Sequence, residues 1–118
     1  MNYPQPSYGK INELGMLTIP KNIQEASGFK PLDSNEGMTT LVKCTIENEC
    51  IILRLHDRLT IEEMKERRSE NGYEIIKTID EFGRVILIEE FRERLEIDMK
   101  DILAVELVDD NVLVVYKE

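Results

Sequence analysis

The chain has little of what metalloproteins, most enzymes and exported proteins depend on. Cysteine occurs twice, at positions 44 and 50, and histidine once, at 56. Without a Cys or His cluster at ligand spacing, no metal site is expected. No nucleophile stands beside a base, no histidine pair is available as ligands, and no glycine-rich phosphate loop occurs, so catalysis is not expected and no cofactor is assigned. No apolar run approaches the roughly 20 residues that cross a bilayer. Met1 to Ser7 has neither the basic start nor the apolar stretch of a secretory signal. The expectation is a cytoplasmic protein without membrane association.

Positive charge is outnumbered, 15 Lys/Arg against 24 Asp/Glu. The formal net charge is −9, and it is unevenly shared: residues 1–60 carry six Lys/Arg against seven Asp/Glu, whereas residues 61–118 carry nine against seventeen. Such a chain repels nucleic acid at long range, so DNA binding requires a local basic face rather than overall attraction.

What the sequence does have is 118 residues with 42% hydrophobic and 33% charged content, a globular balance with room for one ordinary domain or two very small ones. Internal similarity decides between these. Lys10 to Phe29 aligns without gaps on Thr78 to Ile97, with Ile11/Ile79, Glu13/Glu81, Gly15/Gly83 and Glu25/Glu93 identical and Leu14/Phe82, Leu17/Val85, Ile19/Leu87, Ile23/Phe91 and Phe29/Ile97 matched as apolar. Val42 to Leu53 aligns on Ala104 to Val115 at an offset six residues shorter. The loop-like stretch Lys30 to Gly37 accounts for the difference.

Each copy predicts β-β-α-β-β. A first strand (Lys10 to Asn12; Glu74 to Asp80) reaches a turn glycine able to take positive φ, and a second strand follows (Met16 to Ile19; Arg84 to Ile88). A two-turn helix starts after Pro20 and ends at Gly28. A hairpin closes the unit, most plainly Ile102 to Val108, Asp109-Asp110-Asn111, then Val112 to Lys117; Asp109-Asp110 reads as turn chemistry rather than a cation site. In the first copy the hairpin turns on Glu47-Asn48-Glu49, with Ile46 facing Cys50 and Cys44 facing Ile52. The thiols are therefore staggered, and free cysteines in a reducing compartment are expected. The parts are residues 1–55, a helical linker 56–72 and residues 73–118. In the linker, Thr60-Ile61-Glu62-Glu63 is a capping-box start, and Lys65, Arg67 and Arg68 sit among glutamates on a solvated helix. Units of about 45 residues are too small to be stable alone, so the two are expected to share a core.

The run IDEFGRVIL, IEEFRERLEI and DILAVELVDDNVLVVYK resembles the AbrB/SpoVT/MazE superfamily of swapped-hairpin DNA-binding domains, over Ile75 to Lys117. INELGMLTIPKNI in the first copy is similar over a shorter span. The resemblance implies a mainly β fold with short helices, in which two units interleave their hairpins into one barrel. That makes an intrachain pseudo-dimer, or a homodimer. It also implies contacts to double-stranded DNA from basic positions that fall here on Lys77, Arg84 and Arg92, with Arg94 standing in where Glu93 occupies the fourth. In the first copy those positions are Gly9, Met16, Gln24 and Glu25. The second copy departs from the pattern at Ile88, where the family has proline, and at Glu96, where it has glycine. Two functional readings follow: a DNA-binding transcriptional regulator acting through the second copy, or an antitoxin-like accessory module that engages a protein partner through its acidic surface.

Overall fold

Alternating apolar residues build two hairpins, and these carry the architecture. The computed structural model describes residues 4–33, 35–60, 62, 63 and 76–118. Strands β3 (Met38–Glu47) and β4 (Cys50–Thr60) form the first hairpin, and β7 (Leu103–Asp109) and β8 (Val112–Lys117) the second. Around them lie the short strands β1 (Ser7–Gly9), β2 (Met16–Thr18), β5 (Ile76–Thr78) and β6 (Arg84–Ile86) and two helices, α1 (Lys21–Ala26) and α2 (Glu89–Arg94). The protein is mainly β, with antiparallel pairing throughout.

Six strands form one sheet in the order β1-β7-β8-β4-β3-β5, while β2 and β6 pair in a second. Each short outer strand lies on the hairpin of the opposite half: Gly9 pairs with Leu103, and Lys77 with Val42. The hairpins meet along β4 and β8, where Leu53 faces Leu113. The matched pairs Leu17/Val85, Ile19/Leu87, Ile23/Phe91 and Phe29/Ile97 all lie in one buried cluster with both hairpins. Both halves thus contribute to a single core. The matched pair Leu14/Phe82 does not join it, and stands 67% and 64% exposed.

The expected barrel is not closed. The pairing that would join β1 to β2 has shrunk to a single bridge, Ile11 to Leu17. The six-stranded sheet therefore keeps open edges at β1 and β5. The first strand also lies earlier than expected, at Ser7–Gly9 rather than Lys10 to Asn12.

Hairpin registers differ from the expected ones by one residue. Glu47 pairs with Cys50 and Ile46 with Ile51, so the turn is Asn48-Glu49, both left-handed at φ 49° and 63°. This two-residue turn, with positive φ at both positions, matches the strand twist. Cys44 faces Leu53, and both cysteines are free. In the second hairpin Val108 is bulged out, since Leu107 faces Leu113 while Asp109 faces Val112. The bulge absorbs one residue. Leu103 therefore occupies the place of Val42, and the gapless alignment of these strands is one residue out.

The linker begins later than expected. Residues 56–60 continue β4, with Arg58 facing Thr40. The capping box is formed: Glu63 N donates to Thr60 Oγ1 (3.2 Å), and the Thr60 backbone N–H donates back to Glu63 Oε1 (3.4 Å). Lys65, Arg67, Arg68 and residues 74 and 75 of the expected strand lie outside the described residues. Both helices start from extended residues of nearly equal geometry, Pro20 at φ −57°, ψ 144° and Ile88 at φ −60°, ψ 149°. Isoleucine thus replaces proline without altering the helix entrance. At the exits the halves differ: Glu96 takes φ 54°, whereas α1 ends at extended Ser27. Gly28 serves close packing instead of a left-handed cap, since a Cβ there would meet Leu55 Cδ2 at 2.7 Å. No helix among the described residues is long and apolar enough to cross a membrane.

Candidate functional site

The residues singled out by the sequence gather around two corners built by the same local rule. In the first, Asn12 Oδ1 accepts the N–H groups of Leu14 (2.9 Å) and Met16 (3.0 Å), and Gly15 N donates to the Asn12 carbonyl (2.9 Å). In the second, Asp80 Oδ1 accepts the N–H groups of Phe82 (2.9 Å) and Arg84 (2.8 Å), and Gly83 N donates to the Asp80 carbonyl (3.1 Å). A short Asx side chain folding back on its own turn is the reason this residue type suits the position. Gly15 and Gly83 sit at φ 79° and 78°, a region costly for residues with a Cβ.

The corners interlock. Ile19 N donates to the Gly83 carbonyl (2.8 Å) and Leu87 N to the Gly15 carbonyl (2.9 Å), while Leu17 pairs with Val85. Each helix sends one side chain over the opposite glycine. Gln24 Nε2 donates to the Ile19 carbonyl (2.6 Å) beside Gly83, and Arg92 Nε donates to the Leu87 carbonyl (2.7 Å) beside Gly15.

This exchange separates the predicted basic residues. Arg84 follows the corner covered by α1, whereas Arg92 and Arg94 ride on α2 over the other corner. Arg84 Nε pairs with Asp80 Oδ2 at 2.7 Å, and the guanidinium lies 4.9 Å from the Phe82 ring centroid. Its side chain stays 34% exposed. Burial by itself would raise the Asp80 carboxyl, but N–H donors from Arg84 and Phe82 and the Arg84 charge outweigh it and hold Asp80 below the usual aspartate range. Arg94 is exposed. Lys77 is half-buried on β5, opposite Val42, and its charge partly opposes the burial that pushes the Cys44 thiol up to about 11. Arg92 is held by a backbone carbonyl and not by helix carboxylates. The four residues therefore form no single cluster on the second half. Arg84 belongs to one composite corner, Arg92 and Arg94 to the other, and Lys77 lies apart on β5 opposite Val42.

Sequence reasoning missed Asn12 and Asp80, which the alignment scored as a mismatch although both are Asx three residues before a glycine. It also gave Gln24 no role, because a neutral amide was read only as a lost arginine. Among the described residues no group of three His, Cys, Asp or Glu side chains could hold a metal ion. No protein-family model, characterised protein or solved structure matches the chain.

Proposed function

We propose that this chain is a DNA-binding transcriptional regulator of AbrB/SpoVT type, built as an intrachain pseudo-dimer of two swapped units. The observation that carries the reading is the pair of interlocked Asx-Gly corners, each covered by the other half's helix. Reciprocal pairing of β1 with β7 and of β5 with β3 supports the same description. At the second corner Arg84 uses Nε for Asp80, which orients the guanidinium and leaves its terminal nitrogens to fork onto a phosphate or a guanine edge. Arg94 is an exposed cation on the helix that covers the other corner, and Lys77 adds charge on the adjoining strand.

Fluorescence anisotropy with double-stranded genomic fragments at two salt concentrations tests the reading. Arg84→Ala should weaken binding by about 1–3 kcal/mol if it reads a base, or reduce the salt slope by about one unit if it contacts phosphate. Met16→Ala, at the matching place in the first half, should change little. Equal affinities for both variants and wild type would remove the second corner as the DNA site. The second reading, an antitoxin-like accessory module with a protein partner, is favoured by the exposed corner tips Leu14 and Phe82 on a chain of charge −9. It takes over if no fragment binds even at low salt.

A further inference from the structure

An antiparallel sheet with one wet face normally alternates apolar-in with polar-out. The six-stranded sheet breaks this rule at its centre. Its inner face supplies Ile51, Leu53, Leu113 and Val115 to the core cluster, so the alternate residues of β4 and β8 point outward. These are Cys50, Ile52, Val112, Val114 and Tyr116, with no charged side chain until Arg54; the Tyr116 hydroxyl donates to Glu106 Oε2 (3.2 Å). Their registers make rows across the sheet. Ile52 pairs with Val114, which pairs with Glu106, and on its other side with Thr45. Tyr8, Ala104 and Tyr116 form the neighbouring row, with Tyr8 58% exposed. Ile52 and Ala104 are buried yet belong to no part of the core cluster.

We propose that this outer sheet face is a homodimer interface, on which a second copy of the chain docks face to face about a two-fold axis running along the strands between β4 and β8. That axis lays Ile52 on Val114 and Cys50 on Tyr116 of the other copy. It sets Glu106 against Thr45, and Lys43 against the end of β7 at Asp109. No like charges are opposed. The axis perpendicular to the strands would instead stack Glu106 on itself. The Ile52 row crosses four strands and its two neighbours five each, and at about 4.8 Å per strand and about 7 Å per row the footprint is on the order of 450 Å² per copy, about 900 Å² for the pair, the size of a weak, concentration-dependent contact. A strongly basic or nucleic-acid partner fits less well, because the centre is uncharged and both signs sit at its margins. The contact is independent of the two corners, so it does not rest on DNA binding.

Two chains of charge −9 repel each other, and salt screens that repulsion while leaving apolar contact intact. Sedimentation equilibrium of the full chain should therefore give twice the 13.7 kDa chain mass, with a dissociation constant that tightens on raising NaCl from 0.1 to 0.5 M. DNA binding would respond with the opposite sign. Val114→Lys should give the single-chain mass with an unchanged circular dichroism spectrum. Should that variant fail to fold, wild-type protein still decides the matter through Cys50, whose alkylation by iodoacetamide should slow at least tenfold between concentrations below and above the dissociation constant. Single-chain mass at all concentrations, a dimer unaffected by Val114→Lys, or a Cys50 rate independent of concentration would each overturn the proposal.

Discussion

Replacing Gly15 by alanine isolates the contribution of a single interhalf contact. Two effects should add. The left-handed backbone, φ 79°, costs about 1–2 kcal/mol once a Cβ is present, offset by about 0.4–1 kcal/mol from the stiffer unfolded chain. The new methyl would also lie 2.9 Å from Arg92 Cζ and Nη2. The guanidinium cannot stay in place, and its Nε hydrogen bond to Leu87 (2.7 Å) is strained or lost, worth about 1–2 kcal/mol for a charged donor with partial access to water. A total of about 1–3.5 kcal/mol follows once the offset is subtracted. Gly37 supplies the control: its φ is 67°, yet a Cβ there meets nothing within 4 Å, so Gly37→Ala should cost only the backbone part. Urea unfolding followed by circular dichroism reads the difference, a midpoint gap of about 0.5–1 M at ordinary slopes. In an Arg92→Ala background the gap should close, which completes a double-mutant cycle. Equal midpoints for Gly15→Ala and Gly37→Ala in the wild-type background would refute the claim that Arg92 bears on the opposite corner.

Asp80→Asn, which installs the residue found at position 12, should keep the turn and remove the ion pair with Arg84. Because the folded carboxyl is held low, its stabilisation is complete above about pH 4 and is lost as pH falls through the depressed value. Urea midpoints at pH 6 and pH 3 should accordingly drop less for Asp80→Asn than for wild type, and an equal drop would count against the pairing. Native alkylation at pH 8 in dilute protein, below any self-association, should label Cys50 and leave Cys44 unmodified until the chain is unfolded, with no bridge seen by mass spectrometry; a Cys44–Cys50 disulfide in freshly purified protein would contradict the register. Residues 73–118 expressed alone should yield a homodimer or an unfolded peptide, since β5 loses β3 and β8 loses β4; a stable folded monomer by light scattering would oppose the shared core.

Much of this architecture is legible in the sequence because it rests on short-range rules. Alternation placed the hairpins, glycines at matched positions marked the corners, and Thr60 with Glu63 marked a helix start. What escaped depends on partners distant along the chain or on backbone choices the residue types do not announce. Glu49 and Glu96 accept left-handed conformations that glycine or asparagine would signal better, so the Asn48-Glu49 turn was read one residue long. Val108 looks like any strand residue until the register with Leu113 forces it out as a bulge. The division of Arg84 from Arg92 could not be read at all, because it follows from which half each helix covers, a matter of topology and not of local pattern.

The interlocked corners also bear on how the sequence can change. In an assembly of two identical units every substitution appears twice, and a residue that suits one corner is imposed on the other. Here both corners are encoded separately in one chain, so Asn12 can differ from Asp80, Met16 from Arg84 and Gln24 from Arg92 while the reciprocal hydrogen bonds through Gly15 and Gly83 persist. One corner can carry charge while its counterpart keeps only the packing and the backbone hydrogen bonds. Symmetry in the backbone coexists with independence in the side chains, and an asymmetric target could be matched without any second gene product.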